Sequence, residues 1–270
     1  MYITAKVIAD SVANGHRVTT LELEYPRYIH SELMTHRVFS RNAASSRAIP
    51  FDKMLQTITS MDQTPKWTLN QKGMVGIPAT TLEDRLEAKN IWRTARDKAI
   101  ECARRLKDLG IHKQNYNRLL EPFQTMKTIV TATEWDNFFK LRIHPNAQPE
   151  MQELASAIKE AMDKSIPYKV SESEIYWHTP YISLEDARAM GWEKAKRISA
   201  SCCAQVSYRN LNTSEEKAMD IFHKLVSGDI IHGSAFEHVC RPLSYITNEK
   251  PTGNLVGWHQ YRHDIENGYI

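Results

Sequence analysis

Apolar and polar positions alternate along the first part of the chain. Ile3, Ala5, Val7 and Ala9 alternate with Thr4, Lys6 and Ile8, and Leu21, Leu23 and Tyr25 alternate with Thr20, Glu22 and Glu24. A period of two predicts half-buried strands. Asn14-Gly15 lies between the runs and is a tight-turn signal, so the pair reads as an antiparallel hairpin. Pro26 then stands where a helix can begin, and Ile29 and Leu33 are four apart. They predict a short helix with His36 and Arg37 at its C-terminal end. The polar stretch that follows reads as a loop.

Helical spacing dominates the middle of the chain. Residues 53–78 contain Pro65, Gly73, Gly76 and Pro78 and read as a loop or insertion. Thr80-Thr81-Leu82-Glu83 reads as a capping box, with Thr80 at the N-cap and Glu83 at N3. Leu82, Leu86, Trp92, Ala95, Ala99, Ala103 and Leu106 then predict a long amphipathic helix that ends near Gly110. Thr133 is placed to cap a helix from Glu134 to Arg142, and Met151, Leu154, Ala155, Ile158 and Met162 mark another. Residues 167–180 are irregular. Ser183 opens a helix through about Ala200, and Thr213-Ser214-Glu215-Glu216 caps one that ends at Gly228. The last forty residues mix short strands with a helix around Trp258 to His263. Hairpins at both ends with helices between agree with an α+β fold, and no obvious linker divides residues 1–270.

Composition narrows the function. The chain has 270 residues, 41% hydrophobic and 25% charged, which is globular rather than disordered. Net charge is +3 and no basic block of five occurs, so a nucleic-acid polymer or an anionic membrane is not the expected partner. No apolar run approaches the ~18 residues of a membrane span. The first residues read as a strand rather than a signal peptide. Cys102, Cys202, Cys203 and Cys240 fit neither a zinc motif nor a disulfide framework. They read as buried thiols in a reducing cytoplasm.

Four segments carry candidate chemistry. Thr35-His36-Arg37-Val38-Phe39-Ser40-Arg41-Asn42-Ala43-Ala44-Ser45-Ser46-Arg47 has the pattern H-R-x-x-S-x-N-x-x-S-x-R. Guanidinium groups offer planar donors for phosphate, and Ser and Asn orient it. The segment reads either as an anion-binding loop or as a solvated polar one. Asn137-Phe138-Phe139-Lys140-Leu141-Arg142 sets an amide and a guanidinium on one helix, for a heterocycle or phosphate or simply as an exposed helix end. His232-Gly233-Ser234-Ala235-Phe236-Glu237-His238 has no zinc spacing, so no metal is expected, and His238 reads as a polar or stacking contact. Gly257-Trp258-His259-Gln260-Tyr261-Arg262-His263 repeats the Arg-His pairing beside aromatics that can stack on a ring or pack a helix.

Together these segments resemble the flavin-dependent thymidylate synthases. That family's signature is R-H-R-x-x-S-x-N-x-x-S-x-R, and residues 36–47 reproduce it apart from the first Arg. The Asn137–Arg142 segment with Ala147-Gln148-Pro149-Glu150 resembles its N-F-x-x-L-R…A-Q-x-E helix. Ala235-Phe236-Glu237-His238 resembles its P-F-E-H segment, and Cys203-Ala204-Gln205-Val206-Ser207-Tyr208 its A-A-R-V-S-F segment. The stretches H-S-E-x-M-T-H-R, at 30–37, and W-H-x-P-Y, at 177–181, resemble phage-type members. In the usual family the V-S-F and P-F-E-H segments precede the signature, whereas here they follow it. The chain therefore resembles a circular permutant, with residues 1–165 holding the signature and central helices and 166–270 the usual N-terminal part.

The resemblance implies an α+β fold, a mixed or antiparallel sheet with packed helices in a single domain of residues 1–270, and a methyltransferase of nucleotide biosynthesis. FAD, reduced by NADPH, and methylene-tetrahydrofolate would place a methyl group on C5 of dUMP to give dTMP, in a homotetramer with no cysteine nucleophile. It implies that His36, Arg37, Ser40, Asn42, Asn137 and His238 contact FAD. Ser45, Ser46 through its backbone amide, and Arg47 would hold the nucleotide phosphate. Arg142 would face the pyrimidine and polarise its carbonyl. Thr35 stands in place of the signature's first Arg, a charge that Arg262 can supply. Ala43 replaces a Glu, Asn146 replaces a His that His144 can stand in for, and Lys127 is the nearest cation to a further pyrimidine-binding Arg. Glu32 replaces a Gln. An ionised Glu only accepts hydrogen bonds, so against the base it would favour an amino group and a substrate such as dCMP; otherwise it pairs with an Arg such as Arg37. A hydroxymethylating enzyme and a non-catalytic nucleotide-binding homologue are the remaining alternatives.

Overall fold

The N-terminal alternation becomes β1 (Thr4–Ala13) and β2 (His16–Pro26), paired antiparallel. Asn14 and Gly15 both have positive φ, 53° and 81°, the geometry that matches a two-residue turn to the twist of its strands. The computed structural model describes residues 2–269 apart from 62, 74, 79–80, 208–210, 228–230 and 245–252. A 3-10 turn and the short α1 (His30–Met34) follow, ending two residues before His36. The polar stretch expected as a loop then forms an edge strand, β3 (Ser40–Ala43). An edge position explains this, because polar side chains are tolerated where the strand has a partner on one side only.

The stretch expected as an insertion holds α2 (Phe51–Ser60) and a small ribbon of β4 (Thr68–Leu69) and β5 (Ile77–Pro78). Phe51, Met54 and Ile58, at spacings of three and four, give α2 its buried face. The long helix α3 (Leu82–Asp108) is present, but its cap is Thr81, whose hydroxyl accepts from the Asp84 amide; Thr80 lies outside the described residues. Only the C-terminal half of α3 buries its stripe, through Ile100 and Ala103, while Leu82 and Leu86 are exposed.

After α4 (Lys113–Tyr116) come β6 (Thr125–Ala132), α5 (Asp136–Arg142) and α6 (Pro149–Lys164). Thr133 does not cap α5. Trp135 is at the N-cap, and the Thr133 hydroxyl accepts from the Val256 amide. β7 (Tyr168–Lys169) adds a parallel strand within the irregular stretch. The helix expected from Ser183 is broken into α7 (Leu184–Met190) and α8 (Trp192–Ala204) by Gly191, whose φ of 84° no L side chain adopts readily. α9 (Glu215–Val226) follows, and Gly228 lies outside the described residues. The chain then forms β8 (Cys240–Pro242), β9 (Trp258–Gln260) and α10 (Tyr261–Glu266), so Trp258 begins a strand rather than a helix.

The main sheet has the order β3-β6-β2-β1-β7, antiparallel except at β1–β7, with helices packed on it. One face is apolar. Leu21, Leu23, Tyr25 and Val130 pack there against Met151, Leu154, Ala155 and Ile158 of α6. Burying each Leu or Ile contributes about 1.5–3 kcal/mol. The other face lies against the second half of the chain, through Ile129, Cys203, Val206 and Ala235. That face also carries a polar row: Thr20, Thr131 and Ser40 are cross-strand partners and all are buried. A β-bulge between Val7 and Ala9 shifts the register of β1, so Ser11 pairs with Val18 and joins Thr20 on this face.

Two histidines satisfy the polar row. His178 bonds Ser11 and Thr20, and His238 bonds Thr131. Both rings are fully buried, and burial lowers their pKa values from 6.5 to about 4 and about 3. An unfolded chain takes up these protons near pH 6.5, whereas the folded chain refuses them until pH 4 or below. Stability is therefore lost as pH falls from 6.5 toward 4, by up to about 1.4 kcal/mol per pH unit for each ring. Thermal melts at pH 7.5, 6 and 5 should show a falling midpoint, and a midpoint constant across that range would contradict the buried neutral rings.

Candidate functional site

β3 sorts the signature by face. Ser40 and Asn42 are partners of Thr131 and Ile129, and so face the second half of the chain. The Asn42 amide donates to the Cys203 carbonyl at 2.8 Å. The Ser40 hydroxyl donates to Asn254 Oδ1 at 3.0 Å and accepts from Gln260 Nε2 at 2.9 Å. Two segments more than 200 residues apart in sequence thus meet at one strand.

The helix end before β3 and the end of α5 form the second part of the site. Arg142 Nη1 bonds Glu32 Oε2 at 2.9 Å, Nη2 bonds the Glu32 carbonyl at 3.3 Å and Thr35 Oγ1 at 3.0 Å, and Nε donates to His36 Nε2 at 2.9 Å. Glu32 therefore pairs with Arg142, not with Arg37. Accepting at Nε2 places the His36 proton on Nδ1. Burial, then the charges of Arg142 and Arg41, lower its pKa to about 4, so the ring is neutral near pH 7. The His36 ring stacks on Phe39 and meets Phe138 edge-on.

A cleft of about 460 Å³ adjoins this cluster. Arg37, Phe39 and Arg41 line one side, and Glu237, Asn254, Gln260 and Arg262 line the other. Arg262 is held by Glu237 Oε1 and by Glu266 Oε1, the latter at 2.7 Å. Arg41 donates to the Met34 and His36 carbonyls, at 2.7 and 3.3 Å, which ties the cleft to the helix end. The Gln260 amide also bonds the Glu237 carbonyl at 3.0 Å. Three guanidinium groups around one hollow suit an anionic ligand with more than one charge. Arg41, Asn254 and Gln260 escaped the sequence reading. Arg41 occupies a variable position of the signature, and only its partners in space mark it.

Other expected residues fall elsewhere. Ser45 and Arg47 are exposed beyond β3, and Arg47 lines a shallow polar surface with Gln114, Asn115 and Arg118. The buried Ser46 hydroxyl donates to Glu121 Oε1 at 2.6 Å. Lys127 pairs with Glu22 at 3.1 Å, and Glu22 also accepts from the Tyr181 hydroxyl at 2.7 Å. Asn137 is exposed on α5, the same helix as Arg142, and takes no part in the bonds around Arg142. His144 and Asn146 are exposed and bonded to each other. His238 is buried behind Glu237; its Nδ1 meets Thr131, and its Nε2 has no partner among the described residues.

Three of the four thiols, Cys202, Cys203 and Cys240, are buried as expected and are poor nucleophiles, whereas Cys102 is only half-buried. Burial pushes Cys202 up to about 12 and raises Cys203 and Cys240 well above the ordinary thiol value. Among the described residues no group of three His, Cys, Asp or Glu could hold a metal ion, and no helix is long and apolar enough to cross a membrane.

Residues 10–168 match the family described as thymidylate synthase complementing protein. No curated protein matches the chain. Among solved structures the chain is similar to a UMP/dUMP methylase, PolB, from Streptomyces cacaoi bound with 5-Br UMP. Identity is 17%, the match covers 60% of this chain and 89% of that one, and the TM-score is 0.50. The same protein bound with 5-Br dUMP matches at 18% identity over 60% and 91%, with a TM-score of 0.46. At these identities the likeness concerns the fold.

The three-arginine cleft makes a direct prediction. Arg37→Ala and Arg262→Ala should each weaken pyrophosphate binding by about tenfold, the effect of one lost charge-assisted hydrogen bond. Isothermal titration at low and high salt checks this, with the wild-type affinity also falling as salt rises.

Proposed function

The chain belongs to the thymidylate synthase complementing protein family, matched over residues 10–168, and on that premise we propose that it methylates C5 of a pyrimidine deoxynucleotide. The substrate in this reading is dUMP and the product dTMP. Methylene-tetrahydrofolate is the carbon donor, with FAD as cofactor and NADPH as reductant. One observation carries the reading: Arg37, Arg41 and Arg262 gather on a single cleft beside the Arg142–His36–Glu32 cluster. A nucleotide-binding PolB structure of similar fold is consistent with a mononucleotide acceptor.

The residues present suit a flavin dinucleotide. Guanidinium groups fit its pyrophosphate, and the unpartnered ring nitrogen of His238 is an atom that a bound ligand would satisfy. The flavin supplies the reducing equivalents that complete the methyl group. The protein's own residues bind and orient. Arg37 and Arg262 hold phosphate, while Glu237 and Glu266 fix the guanidinium of Arg262. Ser40 and Asn42 build the floor. His36, kept neutral, holds Arg142 by its Nε and leaves the terminal nitrogens for other partners.

Arg142 polarises the pyrimidine carbonyl as charge develops there. In the structure its terminal nitrogens are taken by Glu32 and Thr35, so substrate binding must exchange at least one of these contacts. Because the Glu32 carboxylate answers Arg142, it is not needed to explain recognition of a base, which favours uracil over cytosine. Ser45, the Ser46 amide and Arg47 hold the nucleotide phosphate, with Lys127 and Asn137 completing the assignment in a homotetramer. Cys203 and His238 meet β3 and β6 through Asn42 and Thr131, which supports the reading of the chain as one permuted domain.

Purified protein should be yellow, and colourless protein that cannot be reconstituted with FAD would exclude the cofactor. Incubation with dUMP or dCMP, methylene-tetrahydrofolate and NADPH should raise the mass of dUMP by a methyl group and leave dCMP unchanged. A hydroxymethyl mass, or methylation of dCMP alone, would replace the reading. Arg142→Ala should lower kcat/KM for dUMP by about 100-fold or more.

A further inference from the structure

A buried file of hydroxyls and imidazoles runs along the polar face of the sheet. Tyr176 Oη is 2.6 Å from Ser11 Oγ, which is 2.8 Å from His178 Nδ1. His178 Nε2 is 2.8 Å from Thr20 Oγ1, which is 2.7 Å from Thr131 Oγ1. Thr131 Oγ1 is 2.8 Å from His238 Nδ1. The file links Tyr176, on the wall of a separate cavity of about 420 Å³, to the buried His238, the sequence neighbour of Glu237 in the arginine cleft.

Proton bookkeeping restricts this file. With both rings neutral, each of the six groups has one proton to donate, and five hydrogen bonds join them. A neutral imidazole that accepts at one nitrogen must donate at the other. A hydroxyl that accepted from both sides would leave its own proton buried without an acceptor, which costs about 1–3 kcal/mol. The bonds therefore run head to tail, and the spare proton falls at one end. Tyr176 is the most acidic hydroxyl, and Ser11 is its hydrogen-bond partner among the described residues, so the phenol donates. The order is then Tyr176 to Ser11 to His178 Nδ1, and from His178 Nε2–H through Thr20 and Thr131 to His238 Nδ1. The spare proton sits on His238 Nε2, the atom left without a partner.

We propose that His178 is a positioning residue: acting through Thr20 and Thr131, it fixes His238 as the Nε2–H tautomer, so that a ligand reaching that nitrogen meets a donor. The identity of that ligand as a flavin rests on the function proposed above; the tautomer does not. Neutral rings are what the depressed pKa values of both histidines provide near pH 7.

Nitrogen NMR of ligand-free protein labelled with ¹⁵N-histidine tests this, with His238 assigned through His238→Asn. The wild type should show His238 protonated at Nε2. Thr20→Val has nearly the same shape as Thr20 and touches neither His238 nor the cleft, yet it should bring in the second tautomer. It should also weaken FAD binding, read by flavin fluorescence, by about tenfold. Ser11→Ala breaks the file at a different link and should mix the tautomers too, which covers the case in which Thr20→Val fails to fold. A wild-type His238 protonated at Nδ1, or a tautomer unchanged in the folded variants, overturns the proposal. A tautomer that responds as described in a protein that binds no FAD would remove the flavin and leave the positioning role intact.

Discussion

The pairing of Ser40–Ala43 with Thr125–Ala132 is the constraint on which the site depends. β6 is buried between two strands and two layers, so its register is held by apolar packing that has nothing to do with ligands. Laying Ser40–Ala43 along this rod gives each of these four residues a fixed face. Ser40 and Asn42 must look toward the second half of the chain, and that half returns hydrogen bonds from Gln260, Asn254 and Cys203. A free loop of the same composition would spend conformational entropy each time it bound. Here most of that entropy is already lost in folding.

The two faces of the sheet use different physics. Against α6 the contacts are apolar and tolerant of direction. Against the second half of the chain, hydroxyls and imidazoles are buried among Cys203, Val206 and Ala235, where every polar atom needs a partner. Such a layer stabilises less than an apolar one of the same size, but it admits fewer arrangements. Arg142 shows the same trade. Its charge is kept near the surface by one carboxylate, one hydroxyl and one imidazole, a set that holds the guanidinium plane while leaving it exchangeable.

Much of the fold was legible because its signals are local. The hairpin at Asn14-Gly15, the stripe of α6 and the cap at Ser183 each follow from spacing within one element. The misreadings share a cause. Ser40–Ala43 carries no apolar alternation, because its strand character comes from β6 and not from its own side chains. Gly191 interrupts a helical stripe that continues on both sides of it. The first turns of α3 keep a helical pattern, yet Leu82, Leu86 and Ile91 stay exposed, and the stripe is used only from Trp92 onward. For the site, the resemblance led to His36, Arg37, Arg142 and Arg262, and the structure groups these. Arg47 lies on a different surface, with Gln114, Asn115 and Arg118. Arg41 and Gln260 lay inside candidate segments but nothing singled them out, and Asn254 lay outside them, since its bond to Ser40 spans 214 positions.

That separation also has a consequence in time. Ser40 meets Gln260 across 220 positions, and the Trp258 indole meets the His16 carbonyl across 242. Closing loops of that length is slow, and most of the chain must be ordered before such contacts reward it. During synthesis the signature strand leaves the ribosome long before Arg262 exists. The half-cleft of Arg37 and Arg41 is then a cationic surface without Glu237, Asn254 or Gln260 to shape it. The arginine cleft is thus completed only after Glu237, Asn254, Gln260 and Arg262 have been made, the last of them more than 200 residues after Arg37 and Arg41.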